Sequence, residues 1–230
     1  MSEWWTYGPR DLLLFSAQTY YRLFELYNLD WWPLHILLSA LGVALLALAR
    51  RGDERAGRAI AVILALSWLW VAWAFHWQRY ASINLLAGYF GWAWVVQALL
   101  LLWLGGARGR LVSAPTSPLQ QRAGLLLFVF ALLVFPLIGP LLLGRSWTQA
   151  EVFGMAPDPT ALATLGMLLF VGVRPLWVLF SFPVAWCLFS GVTLWAMASP
   201  DFWVVPLAAV LAVVVAAGAG WIAGRAPERT

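Results

Sequence analysis

RRGDERAGRAIAVILALSWLWVAWAFHWQRYASIN, residues Arg50 to Asn84, decides the fold. It opens with four arginines and two acids in nine residues, RRGDERAGR. Nineteen uncharged residues follow, Ala59 to Trp77, and the stretch closes on the polar turn QRYASIN. At 1.5 Å per residue, nineteen helical residues reach about 28 Å, the depth of a bilayer's hydrocarbon layer. A basic turn, an apolar span and a polar turn therefore read as one membrane crossing.

The same pattern recurs along the chain. Trp31 to Ala49, Asn84 to Leu104, Ala123 to Leu143, Leu176 to Ala198 and Phe202 to Ala223 are apolar and of spanning length. Pro159 to Val173 has fifteen residues, about 22 Å of helix, short of a comfortable span and open to a re-entrant reading. The expected fold is all-α: a polytopic transmembrane helix bundle of about seven spanning helices over residues 31–224. An outer-face amphipathic interfacial segment (1–30) precedes it and a short cytoplasmic tail (225–230) follows. In that first segment Asp11, Gln18, Arg22 and Glu25 share one helical face, with aromatic residues around it. The opening MSEWWTYGPRD carries two acids and is expected to be retained rather than cleaved as a signal peptide.

Composition agrees with a lipid solvent, since 63% of the 230 residues are hydrophobic and 10% are charged. All fourteen basic residues are arginines, and their placement carries the orientation. With the N-terminus outside, ten arginines fall on the inner side and four on the outer, as short cytoplasmic loops require. The net charge of +4 is thus a topology signal rather than a nucleic-acid footprint. The expected location is the inner membrane of a bacterial cell, with the C-terminus cytoplasmic.

The chemistry available is narrow. Absence of lysine excludes a Schiff base and a phosphate-gripping P-loop. The one cysteine, Cys187, excludes an intrachain disulfide and a thiolate-held cluster. No GxSxG occurs, and the adjacent Asp53 and Glu54 read as a solvated turn. The acids Glu151, Asp158 and Asp201 fall on the outer side, which leaves the midplane without a carboxylate. Gln97 is its most demanding polar group, expected to bond a neighbouring helix. Pro136, Gly139 and Pro140 are expected to break the fourth span and Pro183 to kink the sixth. Asp158-Pro159 reads as an N-cap followed by the first helical residue. Ala216, Gly220 and Gly224, four apart, make a small-residue stripe for close helix packing.

His35 and His76 both fall near the outer ends of adjacent spans. They are the weak candidates for holding a haem or a metal, with interfacial hydrogen bonding the plainer reading. No cofactor or metal site is otherwise expected.

LFELYNLDWWP (Leu23 to Pro33), INLLAGYFGWAWVVQALLLLW (Ile83 to Trp103), FGMAPDPTALATLGMLL (Phe153 to Leu169) and RPLWVLFSFPVAWCLFSG (Arg174 to Gly191) together resemble an uncharacterised family of bacterial multipass membrane proteins, catalogued as a domain of unknown function. The resemblance directs attention to Tyr27, Asn28, Trp32, Pro33, His76, Ile83, Asn84, Gln97, Phe153, Gly154, Pro157, Pro159 and Thr160. The chain departs from that pattern at Asp158, where cysteine is common, and at Leu85, where proline often follows the asparagine. It implies no activity. A ligand or docking surface is expected where outer segments converge, with Tyr27, Asn28, Trp32, Arg79, Asn84, Gln97, Phe153, Gly154 and Thr160 as its candidates. The functional expectation is a non-enzymatic accessory or scaffold subunit of a membrane complex, partnered by the bilayer and by other membrane subunits or copies of itself. The alternatives are a permease or channel for a small neutral or apolar molecule, and an outer-leaflet haem or metal site at His35 and His76.

Overall fold

The structure, a computed structural model, describes residues 14–112, 116–173 and 176–225. The expected face at Asp11, the arginines Arg10, Arg174 and Arg229, and the tail beyond Arg225 lie outside the described residues. Among those described, every regular element is helical, and extended backbone pairs only in an isolated antiparallel bridge between Leu111 and Val173.

The decisive stretch folds as its residues dictate. Helix α2 (Leu34–Arg51) stops at Gly52, whose φ of 66° is left-handed, the conformation glycine adopts without a Cβ penalty. Asp53 then caps α3 (Glu54–Trp70), its Oδ1 accepting the Ala56 N–H at 2.7 Å. A wider π-helical segment, Val71–Trp77, extends α3 toward the turn. Ahead of them lies α1 (Ala17–Asp30), capped by the Ser16 hydroxyl on Thr19 N–H. After the turn come α4 (Ala87–Leu100), again widened over Leu101–Ala107, and α5 (Pro118–Val129), capped by Ser117. A third π segment, Phe130–Val134, carries α5 into α6 (Phe135–Leu142). Three helices complete the chain: α7 (Pro157–Val171), α8 (Leu176–Ala196) and α9 (Val204–Arg225).

Among the described residues five helical stretches are long and apolar enough to cross a membrane: 34–51, 54–82, 87–107, 118–142 and 177–196. Pro157–Val171 and the described part of α9, Val204–Gly218, are apolar but shorter. The expected break at Pro136 and Pro140 is not seen, because the helix runs on through Leu142. Pro136 cannot donate to the carbonyl four residues back, at Leu132, and the wider turn that ends at Val134 absorbs the lost bond. Helix α8 likewise continues through Pro183.

Loop contacts sort the chain into two ends. At one, Gly57 lies against the Leu111 carbonyl, Gly109 against Glu54, and Leu111 bridges Val173. At the other, Asn28 bonds the carbonyls of Thr148 and Ala150, Arg79 pairs with Asp30, and Arg145 with Asp201. Helix α7 begins at the second end and finishes beside the Leu111 bridge, so the short fifth segment runs the length of the bundle rather than turning back. Its burial explains how fifteen residues suffice. From Pro157 to Leu169, and again at Val171, every residue is buried, surrounded by α5, α8 and α9 with α2 and α3 beyond. Only Phe170, near its end, is partly exposed.

The exterior is the inverse. Leu37 and Val43 on α2, Trp92, Val96 and Leu99 on α4, Leu126 on α5, Leu133 in the π segment after it, and Leu188 and Val192 on α8 are all exposed. Large apolar side chains exposed around a whole bundle far exceed the patches a water-soluble monomer carries. Helix α1 keeps the expected polar face, with Gln18 and Arg22 exposed and Glu25 half-buried. Its other face, Tyr20, Tyr21, Leu23, Phe24 and Tyr27, is buried in the bundle core. Protein rather than lipid covers that aromatic side.

Candidate functional site

Sequence reasoning places Glu151 and Asp158 on the outer side, Asp158 as a helix cap; the structure buries both. The N-cap of α7 is Ala156, with Pro157 at the first helical position, so Asp158 lies inside the first turn and is not the cap. There the helix dipole favours an anion. Its Oδ1 accepts the Trp186 indole N–H at 2.8 Å and its Oδ2 the Ser190 hydroxyl at 2.6 Å, both from α8. Thr160 secures the approach to the helix. Its hydroxyl accepts the Gly154 N–H at 2.8 Å and donates to the Ala156 carbonyl at 2.7 Å. Gly154 has φ 77°, and a Cβ there would meet the Leu38 side chain.

Outward of Asp158 lies a charged network. Arg145 Nη2 donates to both oxygens of Asp201, at 2.8 and 2.9 Å, and to Ser199 Oγ at 2.9 Å. Ser199 donates to Asp201 Oδ1 at 2.6 Å. Its one proton is thereby spent, so the Tyr21 hydroxyl, 2.8 Å away, donates to Ser199. The Arg145 guanidinium lies 3.7 Å from the centroid of the Tyr21 ring, a cation–π arrangement. Burial pushes the Tyr21 phenol up, with Glu151 and Asp201 adding to the effect. Glu151 is 9% exposed, and its Oε2 is buried without a hydrogen-bond partner. Burial, then the charge of Asp158, holds its carboxyl well above the usual carboxylate range, while Arg145 pulls the other way. A cavity of about 10 Å³, lined by Arg145, Gln149, Glu151 and Asp201 among apolar neighbours, adjoins this carboxyl; that is room for about one water.

Beneath the network lies an aromatic layer. Trp68 packs against Trp94 with centroids 3.9 Å apart and the rings tilted by 31°, and donates its indole N–H to Thr164 at 2.8 Å. His76, in the π segment of α3, is fully buried, its ring 5.0 Å from Trp186 and 5.3 Å from Trp94. Among the described residues four polar atoms in this region have no partner: both nitrogens of His76, Nε1 of Trp94 and Oε1 of Gln97.

The outer segments flagged by sequence do converge, but most of the flagged side chains are structural. Asn28 ties α1 to the carbonyls of Thr148 and Ala150 and its Oδ1 meets His35 Nε2 at 3.0 Å. Tyr27 is buried and accepts the Trp70 indole N–H at 3.0 Å. Phe153 and Thr160 are fully buried, so neither offers a surface. Gln97 belongs to the interior, where its amide donates to the Leu179 carbonyl at 2.9 Å. Asn84 accepts the Leu86 N–H at 2.9 Å just ahead of α4. Trp32 is exposed, and Arg79 lines a groove of about 700 Å³ with Arg22, Glu25 and Gln149. His35 bonds Asn28 and packs on Trp32, whereas His76 is ringed by aromatic residues of α3, α4 and α8. Among the described residues no group of three or more His, Cys, Asp and Glu is placed to hold a metal.

Most of the small-residue stripe of α9 lies outside the described side chains. Ala216 is buried, Gly218 has open space around it, and Gly220 and Gly224 lie beyond the described side chains. Among the described residues a close helix approach is made by Gly124 on α5 and Gly166 on α7.

Sequence reasoning missed Glu151, Asp158, Arg145, Asp201 and Ser199 as a unit. A signal was present at Asp158, an acid between two prolines leading directly into an apolar run. Comparison with curated proteins and with solved structures gives no match. The model described as a family of unknown function (DUF6064) matches residues 17–225, and the chain belongs to that family.

Proposed function

We propose that the chain is an integral membrane protein that crosses the inner membrane seven times, N-terminus out and C-terminus in, and acts by association as an accessory or scaffold subunit. The observation that carries this reading is the burial of α7: the bundle's centre, where a permeation path would run, is filled by a helix of which only Phe170 is partly exposed. An apolar groove of about 740 Å³ supports it. Leu126, Phe130 and Val134 form one wall and Leu207 and Leu211 of α9 the other, a shape that suits a partner's membrane helix. The orientation rests on Arg50, Arg51, Arg55 and Arg58, at the facing ends of α2 and α3, and on Arg108 and Arg110 in the turn after α4, all at one end of the bundle.

Gentle extraction of the tagged chain from native membranes tests the association. A defined assembly heavier than the 25.6 kDa chain is expected, dissociated by Leu207→Trp with Leu211→Trp, which fill the groove without touching the core. A monodisperse monomer would contradict the proposal, as would external labelling of a reporter cysteine placed at Asp53.

A second reading, a site for a small polar molecule, is favoured by the four unpartnered atoms around His76, Trp94 and Gln97. Gln97→Leu separates the two. Interhelical hydrogen bonds in membranes are worth about 0.6–2 kcal/mol, so a purely structural Gln97 gives a small fall in thermal stability and an unchanged phenotype. Loss of phenotype with stability retained would favour the ligand.

A further inference from the structure

Three carboxylates cluster at the outer end of the bundle, the buried Glu151 and Asp158 and the largely buried Asp201, and a single guanidinium, Arg145, acts on Glu151 and Asp201. Arg145 is committed to Asp201 through both carboxylate oxygens. If all three acids were ionised, two negative charges would stand uncompensated in a poorly solvated interior, an arrangement that buried carboxylates escape by keeping a proton. Hydrogen-bond donors decide which acid keeps it. Asp158 has a donor on each oxygen, Trp186 and Ser190, and stands in the first turn of a helix, so it is furnished as an anion. Glu151 has a buried oxygen with no donor directed at it, and it lines the one-water cavity.

We propose that Glu151 is a proton-binding site: its buried carboxyl carries a resident proton, exchanged with outer water through the cavity beside Arg145 and Gln149, while Asp158 behind it stays charged. The exchange is balanced. A hydronium at the cavity mouth passes its proton to the Glu151 carboxylate and leaves a neutral water in place; the reverse step releases it.

The charged groups acting on Glu151 are Asp158 from α7, Arg145 from the preceding loop and Asp201 from the turn before α9. From α1 the phenols of Tyr20 and Tyr21 face it. Asp158 in turn lies near Asp201, Tyr80 and Cys187. Only Arg145 in this set is cationic. Raising the outer pH therefore strips the proton from Glu151 and sets two like charges against each other at the start of the central helix. That converts an external pH change into strain on α7.

Infrared titration of the purified full-length protein tests this, because a protonated carboxyl has a C=O stretch distinct from a carboxylate's. We expect a deuterium-sensitive carboxyl band at neutral pH that titrates above the ordinary carboxylate range, is lost in Glu151→Gln, and titrates at lower pH in Asp158→Asn. Thermal unfolding against pH gives a second readout. The folded state holds the proton above the pH at which the unfolded chain releases it, near 4.5. Stability is therefore lost as pH rises through that window, and Glu151→Gln flattens the dependence. Absence of the band from the unmodified protein at neutral pH overturns the proposal without any variant. So does a band of undiminished strength in Glu151→Gln, or an unmoved midpoint in Asp158→Asn.

Discussion

Replacing Gly166 with leucine is expected to abolish the folded bundle, and replacing it with alanine to lower the thermal midpoint sharply. Helices α5 and α7 form the most extensive helix pair in the molecule, and they cross glycine on glycine. A Cβ on Gly166 would lie 2.6 Å from the Phe128 nitrogen and 2.8 Å from the Gly124 carbonyl oxygen. A Cβ on Gly124 would lie 2.5 Å from the Phe170 nitrogen and 2.7 Å from the Gly166 oxygen. These are backbone atoms and cannot rotate away, so the helices themselves must part, and α7 is packed on every side. Overpacking in a dense core costs about 1–3 kcal/mol where side chains can adjust, and this contact belongs at or beyond the upper end. Better helix propensity returns about 1 kcal/mol for alanine, too little to offset it. Gly88→Ala is the control, since no atom lies within 4 Å of its added methyl group; its midpoint should hold or rise slightly. Thermal unfolding in detergent checks both. Equal midpoints for Gly166→Ala and Gly88→Ala would mean that α5 and α7 do not cross in this way.

How the chain folds was largely legible because apolar length and arginine spacing are one-dimensional signals. Arg50 to Asn84 shows this well: Gly52 and Asp53 end one helix and begin the next, as those residue types prescribe. The site was not legible, for a physical reason. An acid in a short polar loop reads as solvated unless the fold is known to cover it, and Glu151 and Asp158 are covered by α1, α8 and the turn at Asp201. Partners lie far apart in sequence, with Tyr21 bonding Ser199 and Asp158 bonding Trp186. The π segments left no sequence mark, yet one of them places His76 among Trp94 and Trp186. Lone mid-helix glycines such as Gly124 and Gly166 did carry a clue. Each is poor for helix propensity and so implies a packing reason.

Arg145→Met is expected to destabilise the protein by about 3–5 kcal/mol, the range for breaking a buried ion pair by removing one partner. Surface ion pairs rarely approach this, but the Arg145 and Asp201 side chains are only 12% and 13% exposed. Methionine fills a similar volume over the Tyr21 ring, so the loss reports charge rather than a cavity. It strands Asp201 with Ser199 as its remaining donor, and removes the cation that draws the Glu151 carboxyl downward. Glu151 is therefore driven further toward its neutral form. Arg145→Lys keeps the charge but lacks the planar group that lies on Tyr21, and an intermediate loss follows. Removing both partners together, Arg145→Met with Asp201→Leu, should recover much of the stability, because no unpaired ion is left behind. Thermal unfolding of the four proteins, the unmodified chain included, forms the comparison. A single Arg145→Met change within about 0.5 kcal/mol of the unmodified chain, the scatter of ordinary surface substitutions, would mean that water reaches the network freely and that Glu151 has no need of a resident proton.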